Sequence, residues 1–337
     1  MTKEKLRVFF GPYHIGGMLW EYRTGLIALG VDAKVIVFSN HPFDYPADIK
    51  FNISGNKYLK RFKLILLRLI LLPKLIYDYD VFHFVFGVSL LTYNLDVFIL
   101  KVFRKKIVMH FVGSDIRPRK IARNEKFNID KKKQLTKFWE KHADAIISFP
   151  EYSQLLTKKY NIIPLGYDLE YWKPFKPKKS TKSAGKILIV HAPTNKEKKG
   201  TEYIIKAINK LKENGYEIEF KLLETLSNSE IREWVNISDI VVDQLIIGWH
   251  GIFSIESMAL GKPTLCYINE DWKRDVGYAK DLPLVNTTPD SIYANLKSLI
   301  EDSDLRKEIG QKSRKYVEDV HDSNKAAKQL LELYESL

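Results

Sequence analysis

Short, continuously apolar runs recur along the chain, and between them lie longer stretches whose apolar positions return every three or four residues. The runs at residues 6–11 (LRVFFG), 33–38 (AKVIVF), 80–86 (DVFHFVF), 106–112 (KIVMHFV) and 145–149 (AIISF) predict strands buried on both faces. Residues 18–29 and 135–142 predict helices. After an apolar stretch at 162–165 the alternation starts again. KILIVHA at 186–192, EFKLL at 219–223, an apolar run at 237–242 broken by Ser238 and Asp239, and TLCYI at 264–268 predict further strands. Helices are predicted around 229–235, at 252–260, from Asp290 onward and over 324–337. Strand and helix in strict alternation imply parallel sheets covered by helices, an α/β fold class.

Residues 57–76 (KYLKRFKLILLRLILLPKLI) need a separate reading. The apolar block is interrupted by Arg68 and bounded by Lys63 and Pro73, so it is too short and too charged to span a bilayer. Two readings stay open: an interfacial helix lying on a membrane, or a helix buried against the sheet with Lys and Arg reaching out from its ends.

At 337 residues and 45% hydrophobic content the chain can build two cores, so two domains are expected. The single cysteine, Cys266, lies in an apparent buried strand; it excludes an internal disulfide framework and fits a reducing compartment. The first residues, MTKEKLRVFF, lead charges straight into a strand without a signal-peptide apolar region, and a cytoplasmic location is the expectation. The net charge of +13 is uneven: residues 1–150 hold 26 Lys and Arg against 13 Asp and Glu, whereas residues 151–337 hold 28 against 28. A basic first half suits nucleic acid, an anionic membrane surface or a phosphorylated substrate. No module of interleaved aromatic and basic residues accompanies it, so no nucleic-acid partner is expected. No clustered His, Cys and carboxylate spacing suggests a metal.

The densest chemistry lies in residues 243–263, DQLIIGWHGIFSIESMALGKP. Gly248 and Gly251 allow a sharp turn, after which the unpaired N–H groups opening the next helix, around Gly251, Ile252 and Phe253, can face a phosphate or sugar oxygen. Glu256 falls about one turn inside, and Gly261 with Pro263 ends the helix. This stretch resembles the signature of the retaining, nucleotide-sugar-dependent glycosyltransferases of family four, whose helix carries Glu-Ala-Met-Ala-x-Gly-x-Pro. Residues 256–263 match it nearly throughout, while Gly248 stands where that family usually has a second Glu. NIIPLGYDLEYWKP at 161–174 resembles the family hinge at Pro164, Gly166, Asp168 and Pro174.

The resemblance implies two facing Rossmann-like domains with parallel sheets, the GT-B arrangement: an acceptor domain at 1–172, a Lys-, Ser- and Pro-rich linker at 173–185, and a sugar-nucleotide domain at 186–319. A terminal helix at about 320–337 would pack back on the first domain. It assigns the donor diphosphate to Lys199 and Gly200, with Thr201 as a cap, and the nucleotide ribose to Glu256. Gly16 and Gly17, after the first strand, would line the cleft. At the loop after 106–112 the family often has His-Gly-x-Asp. Here Val112 replaces that His, Gly113 and Asp115 match, and His110 lies on the same strand face two residues earlier. A lone His in an apolar strand is otherwise a core residue. Arg117, Arg119, Lys120 and Arg123 form a cationic cluster able to dock a phosphate-bearing acceptor, or a solvated basic face.

The expected function is metal-independent transfer of a hexose-type sugar, with retention, from a nucleotide diphosphate sugar to a glycan or lipid-linked acceptor. No cofactor is implied, and the location is cytoplasmic or peripheral on the inner face of a membrane. Two rivals stay open: a GT-B protein that binds a sugar nucleotide or membrane without catalysis, suggested by the Gly248 and Val112 departures, and a basic nucleic-acid-binding protein.

Overall fold

The computed structural model describes residues 5–38, 45–113, 115–116, 125–151, 153–177, 183 and 185–337, with 125–128 by backbone alone. The alternation of apolar runs and helical stretches becomes two α/β units, Met1–Tyr167 with Ser323–Leu337, and Asp168–Asp322.

The first unit runs β1 (Arg7–Gly11), α1 (Met18–Ala28), β2 (Asp32–Val37), β3 (Ile49–Lys50), α2 (Lys57–Asp78), β4 (Val81–Val85), α3 (Asp96–Val102), β5 (Lys106–His110), α4 (Glu125–His142) and β6 (Ala145–Ile147). The strands pair in parallel in the order β3-β2-β1-β4-β5-β6. Because side chains alternate across a strand, β4 divides its residues between two cores: Val81 and Val85 face one, Phe82 and Phe84 the other. The second unit runs β7 (Ile187–His191), α5 (Lys196–Lys199), α6 (Thr201–Glu213), β8 (Ile218–Leu222), α7 (Asn228–Ile237), β9 (Ile240–Val242), α8 (Ile252–Ala259), β10 (Thr264–Cys266), α9 (Glu270–Asp275), β11 (Val285–Asn286), α10 (Ile292–Glu301) and α11 (Ser303–Val320). Its strands pair in parallel in the order β11-β10-β9-β7-β8.

The last helix, α12 (Ser323–Glu335), belongs to the first unit and lies against α1. A Cβ at Gly25 would come within 2.4 Å of the Ser323 carbonyl oxygen and 2.6 Å of the Ala327 Cβ, so the close crossing requires glycine there. The Ser323 hydroxyl donates to Glu21, and the Tyr22 hydroxyl to the Pro164 carbonyl.

Several elements differ from the sequence reading. Ile237 ends α7 instead of opening a strand; Ser238 and Asp239 make the turn, and Asp239 satisfies the Leu188 N–H with its carboxylate at 2.8 Å. Helix α2, by contrast, takes up the whole expected stretch 57–76, Pro73 included, and ends at Asp78; the proline is exposed, so the carbonyl it leaves unpaired can reach water. The stretch expected to open the linker is tied to the second unit: Phe175 exchanges two hydrogen bonds with the Asn236 side chain and lies under Arg232.

Candidate functional site

In the second unit the sheet's central strand β9 is wholly buried and delivers Asp243 just past its carboxyl end, the edge where open α/β sheets bind ligands. Asp243 is completely buried. One carboxylate oxygen pairs with the Lys199 ammonium from the end of α5. The other accepts from the Ser254 hydroxyl at 2.6 Å, in the first turn of α8, and more weakly from the Gly251 N–H at 3.5 Å. Burial pushes this carboxyl upward, but the Lys199 charge and the three donors outweigh it and hold it below the usual carboxylate value. Through this one group a cation, a helix N-terminus and a strand end meet.

The surrounding residues fix that meeting point. Asn195 caps α5 with its side-chain oxygen on the Lys198 N–H at 2.9 Å, and Leu245 N–H donates to the Lys199 carbonyl. Gly200, at φ 75°, lies between α5 and α6, and a Cβ there would sit 3.2 Å from that of Leu245. Thr201, expected as the helix cap, lies one residue inside α6; Gly200 holds the cap position. The Thr201 hydroxyl instead meets His191 Nε2 at 2.8 Å, while His191 Nδ1 lies 2.8 Å from the Val242 carbonyl. Only an N–H can bond that carbonyl, so the ring is the Nδ1-protonated tautomer and the threonine donates to Nε2. Burial lowers this histidine to about 4, consistent with a neutral ring.

The loop between β9 and α8 is held by one amide. The buried Gln244 side chain accepts from the Ile246 and Ile247 N–H groups at 2.8 and 2.6 Å and donates to the Trp249 and Tyr267 carbonyls at 3.2 and 2.7 Å. Gly248 has φ 90°, and a Cβ on it would stand 2.9 Å from the Trp272 ring. The space into which a residue 248 side chain would start is therefore filled by an indole from α9. At Gly251 a Cβ would meet nothing within 4 Å. Helix α8 begins there with no side-chain cap, so its opening N–H groups, at Ile252 and Phe253, have no partner within the helix.

Glu256 lies one turn inside α8 and is 6% exposed. Burial, with the Asp243 charge adding to it, raises its carboxyl to about 8, while a 3.3 Å hydrogen bond from the Asn228 amide pulls the other way. At neutral pH most of this carboxyl is protonated, so it can donate as well as accept.

Lys199, Gly200, Gly251, Ile252, Phe253 and Glu256 thus lie around one strand end of the second unit. Asp243 and Ser254 join them unannounced by motif; the one sequence signal was a carboxylate directly after an apolar run. In the first unit, Gly16 and Gly17 form the left-handed turn between β1 and α1, at φ 63° and 73°. Asp115 closes its own turn, accepting from the Val112 and Gly113 N–H groups at 3.2 and 2.8 Å. His110 is fully buried between β5 and α1, 6.2 Å from Tyr22 and 5.5 Å from His83 by ring centres, and burial lowers it to about 3. The structure puts that ring in the core, away from solvent. Arg117, Arg119, Lys120 and Arg123 lie outside the described residues.

No family model matches the chain, and no curated protein matches it by sequence. Solved structures match over nearly the whole length. A glycosyltransferase from Rickettsia africae superposes with a TM-score of 0.68 at 15% identity, covering 99% of each chain. HepE from Anabaena, in complex with UDP-glucose, gives 0.67 at 14% identity over 98% of this chain and all of its own. A UDP-GlcNAc 2-epimerase from Neisseria meningitidis bound to UDP-GlcNAc gives 0.53 at 14% identity over 98% and 99%. At such identities the likeness is one of fold, and the fold of this chain is GT-B, shared with glycosyltransferases and epimerases.

Proposed function

We propose that the protein is a retaining glycosyltransferase that moves a sugar from a nucleotide diphosphate sugar to a glycan or lipid-linked acceptor. The observation that carries this reading is the junction at Asp243, where the Lys199 ammonium and the uncapped start of α8 point to one place. A diphosphate set there would meet a cation and free N–H groups together. Lys199 would exchange part of its pairing with Asp243 for the phosphate oxygens, and Glu256 would bond the ribose hydroxyls from within the helix. In the transfer the bond from the anomeric carbon to the diphosphate breaks, and the electron pair leaves with phosphate. The acceptor hydroxyl oxygen bonds the same carbon, and its proton passes to the departing phosphate. The charge that develops on that phosphate is what Lys199 and the helix start oppose, without a metal. The basic first half suits a phosphate-bearing acceptor, handled on the cytoplasmic side of a membrane.

One observation favours a second reading, donor binding without transfer: the Trp272 ring stands against Gly248, where related enzymes usually carry a glutamate. A thermal-shift screen of sugar nucleotides, followed for each hit by assay of nucleotide release and of sugar transfer or isomerisation, separates these outcomes. A donor at a hundred times its dissociation constant should add about 2.7 kcal/mol. Stabilisation with nucleotide release supports transfer; stabilisation alone supports binding; no stabilisation by any sugar nucleotide overturns both.

A further inference from the structure

Helix α2 buries one of its charges and leaves part of its apolar surface outside. Arg68, the charge that interrupts its apolar block, is buried, donating to the Leu90 carbonyl at 2.9 Å with its guanidinium 4.9 Å from the Phe38 ring. Leu64, Leu67, Leu71, Leu72, Leu75 and Ile76 pack on the core beside it, but other large apolar side chains of the helix face out. Tyr58, Phe62, Leu66, Ile70 and Tyr77 recur at intervals of four and seven residues, on one side of the helix, and are 83, 65, 46, 65 and 80% exposed. Every residue from 57 to 63 is exposed, including Lys57, Lys60, Arg61 and Lys63. Helix α3 covers the same face of the sheet, since Leu72 and Leu75 of α2 and Val97 and Leu100 of α3 share one core cluster. It too turns Phe98 and Val102 outward, with Leu95 and Phe103 exposed at its ends and Lys101 and Arg104 beside them. Most of the large apolar side chains that stand exposed among the described residues lie in this one stretch, 58–103.

The position of the helix gives the surface a direction. Leu90, Phe38 and Tyr13, which surround Arg68, follow the carboxyl ends of β4, β2 and β1. Helix α2 runs antiparallel to those strands, so at 1.5 Å per residue its first turn projects about 16 Å beyond the level of Arg68. The overhanging end combines cations with aromatic and aliphatic side chains that no part of the described first unit covers. We infer that α2 and α3 form a docking face for an anionic lipid bilayer: Phe62, Leu66, Ile70 and Val102 enter the headgroup region, and the flanking lysines and arginines pair with lipid phosphates. The outer face of the α2 and α3 layer then lies on the membrane surface, with the carboxyl edge of the first sheet beside it at the start of α2. A second protein copy would suit an apolar face but not the cluster of like charges around it. The inference stands independently of the donor chemistry proposed above.

Flotation with phosphatidylglycerol vesicles and with neutral phosphatidylcholine vesicles tests it, for the wild-type chain, Phe62→Ser with Ile70→Ser, and Lys60→Glu with Lys63→Glu. All substituted residues are exposed, and melting curves verify that the variants fold. The wild type should float with phosphatidylglycerol and remain behind with phosphatidylcholine. Each basic residue near the surface is worth about fivefold in partitioning, so the charge-reversed variant should bind at least about twentyfold more weakly, and added salt should weaken the wild type likewise. The serine variant should lose binding with its charges intact. Equal recovery with both lipids, or unchanged binding by either variant, overturns the inference. So does a dimer in light scattering that Phe62→Ser with Ile70→Ser disperses while no lipid is bound.

Discussion

Asp243 and Asp115 each follow the end of an interior strand of a parallel sheet, one in each unit, and both are held by hydrogen bonds. They differ in where their partners come from. Asp115 accepts from N–H groups two and three residues away in its own turn, and burial prevails, so its carboxyl lies above the ordinary value. Asp243 takes Lys199 from 44 residues upstream and Ser254 from 11 residues downstream. Although burial opposes it more completely there, the cation prevails and the carboxyl lies below its ordinary value. The local turn at Asp115 stabilises a carboxylate by N–H groups alone, whereas the long-range partner at Asp243 places a second charge beside it. That is the physical ground for seeking the chemistry in the second unit.

The contrast is broken or sharpened by substitution. Asp243→Asn removes the buried carboxylate that pairs with the Lys199 ammonium, itself 14% exposed, and should cost about 3–5 kcal/mol in denaturant unfolding. Asp115→Asn loses part of two backbone bonds and should cost about 1 kcal/mol. Equal costs would erase the distinction. Lys199→Met alone should destabilise and also lower turnover about a hundredfold. Joined with Asp243→Leu, which removes the stranded carboxylate, it should recover stability while turnover stays lost; recovery of turnover would make the pair purely structural.

Glu256 gives a pH test. Its folded value of about 8 exceeds its ordinary 4.5, so the folded state binds the extra proton between those values. Stability should therefore fall as pH rises from about 4.5 to 8, and Glu256→Gln should flatten that slope. Asp243 has the opposite sign: its contribution is present above its ordinary 3.8 and lost as pH falls through its lower folded value. Glu256→Ala should also weaken donor binding by roughly 1.5–3 kcal/mol in titration calorimetry, because ribose hydroxyls lose a charged or strongly polar partner. An effect as small as that at Asp115 is expected at Gly248→Ala, about 1 kcal/mol, from its positive φ and the Trp272 contact. Restored stability in Gly248→Ala with Trp272→Leu would locate the strain between those two groups.

The parallel α/β plan was legible in the sequence because it rests on local signals. Strands such as residues 81–85 are buried on both faces and so are apolar apart from His83, whose ring meets the Tyr334 hydroxyl at 2.6 Å, and the helices between them show their period directly. The start and end of α8 were legible for the same reason: Gly251 opens it, and Gly261 at φ 69° closes it before Pro263. A boundary failed where an apolar residue served a helix and was read as a strand, as at Ile237.

Tertiary structure alone decided which charges have partners. Nothing in the spacing of Lys199 and Asp243 distinguishes them from many other lysines and aspartates; β7 and β9 must pair side by side before α5 and the end of β9 can meet. Arg68 and the apolar residues around it carry the same lesson. By composition Arg68 is the residue to leave in water and Ile70 the one to bury, yet the loop carbonyl of Leu90 and the Phe38 ring receive the guanidinium, and Ile70 is left outside. Local sequence determines which backbone conformation a segment favours. Which face of it is covered depends on the groups that distant segments bring to it, and those are set only when the chain has folded.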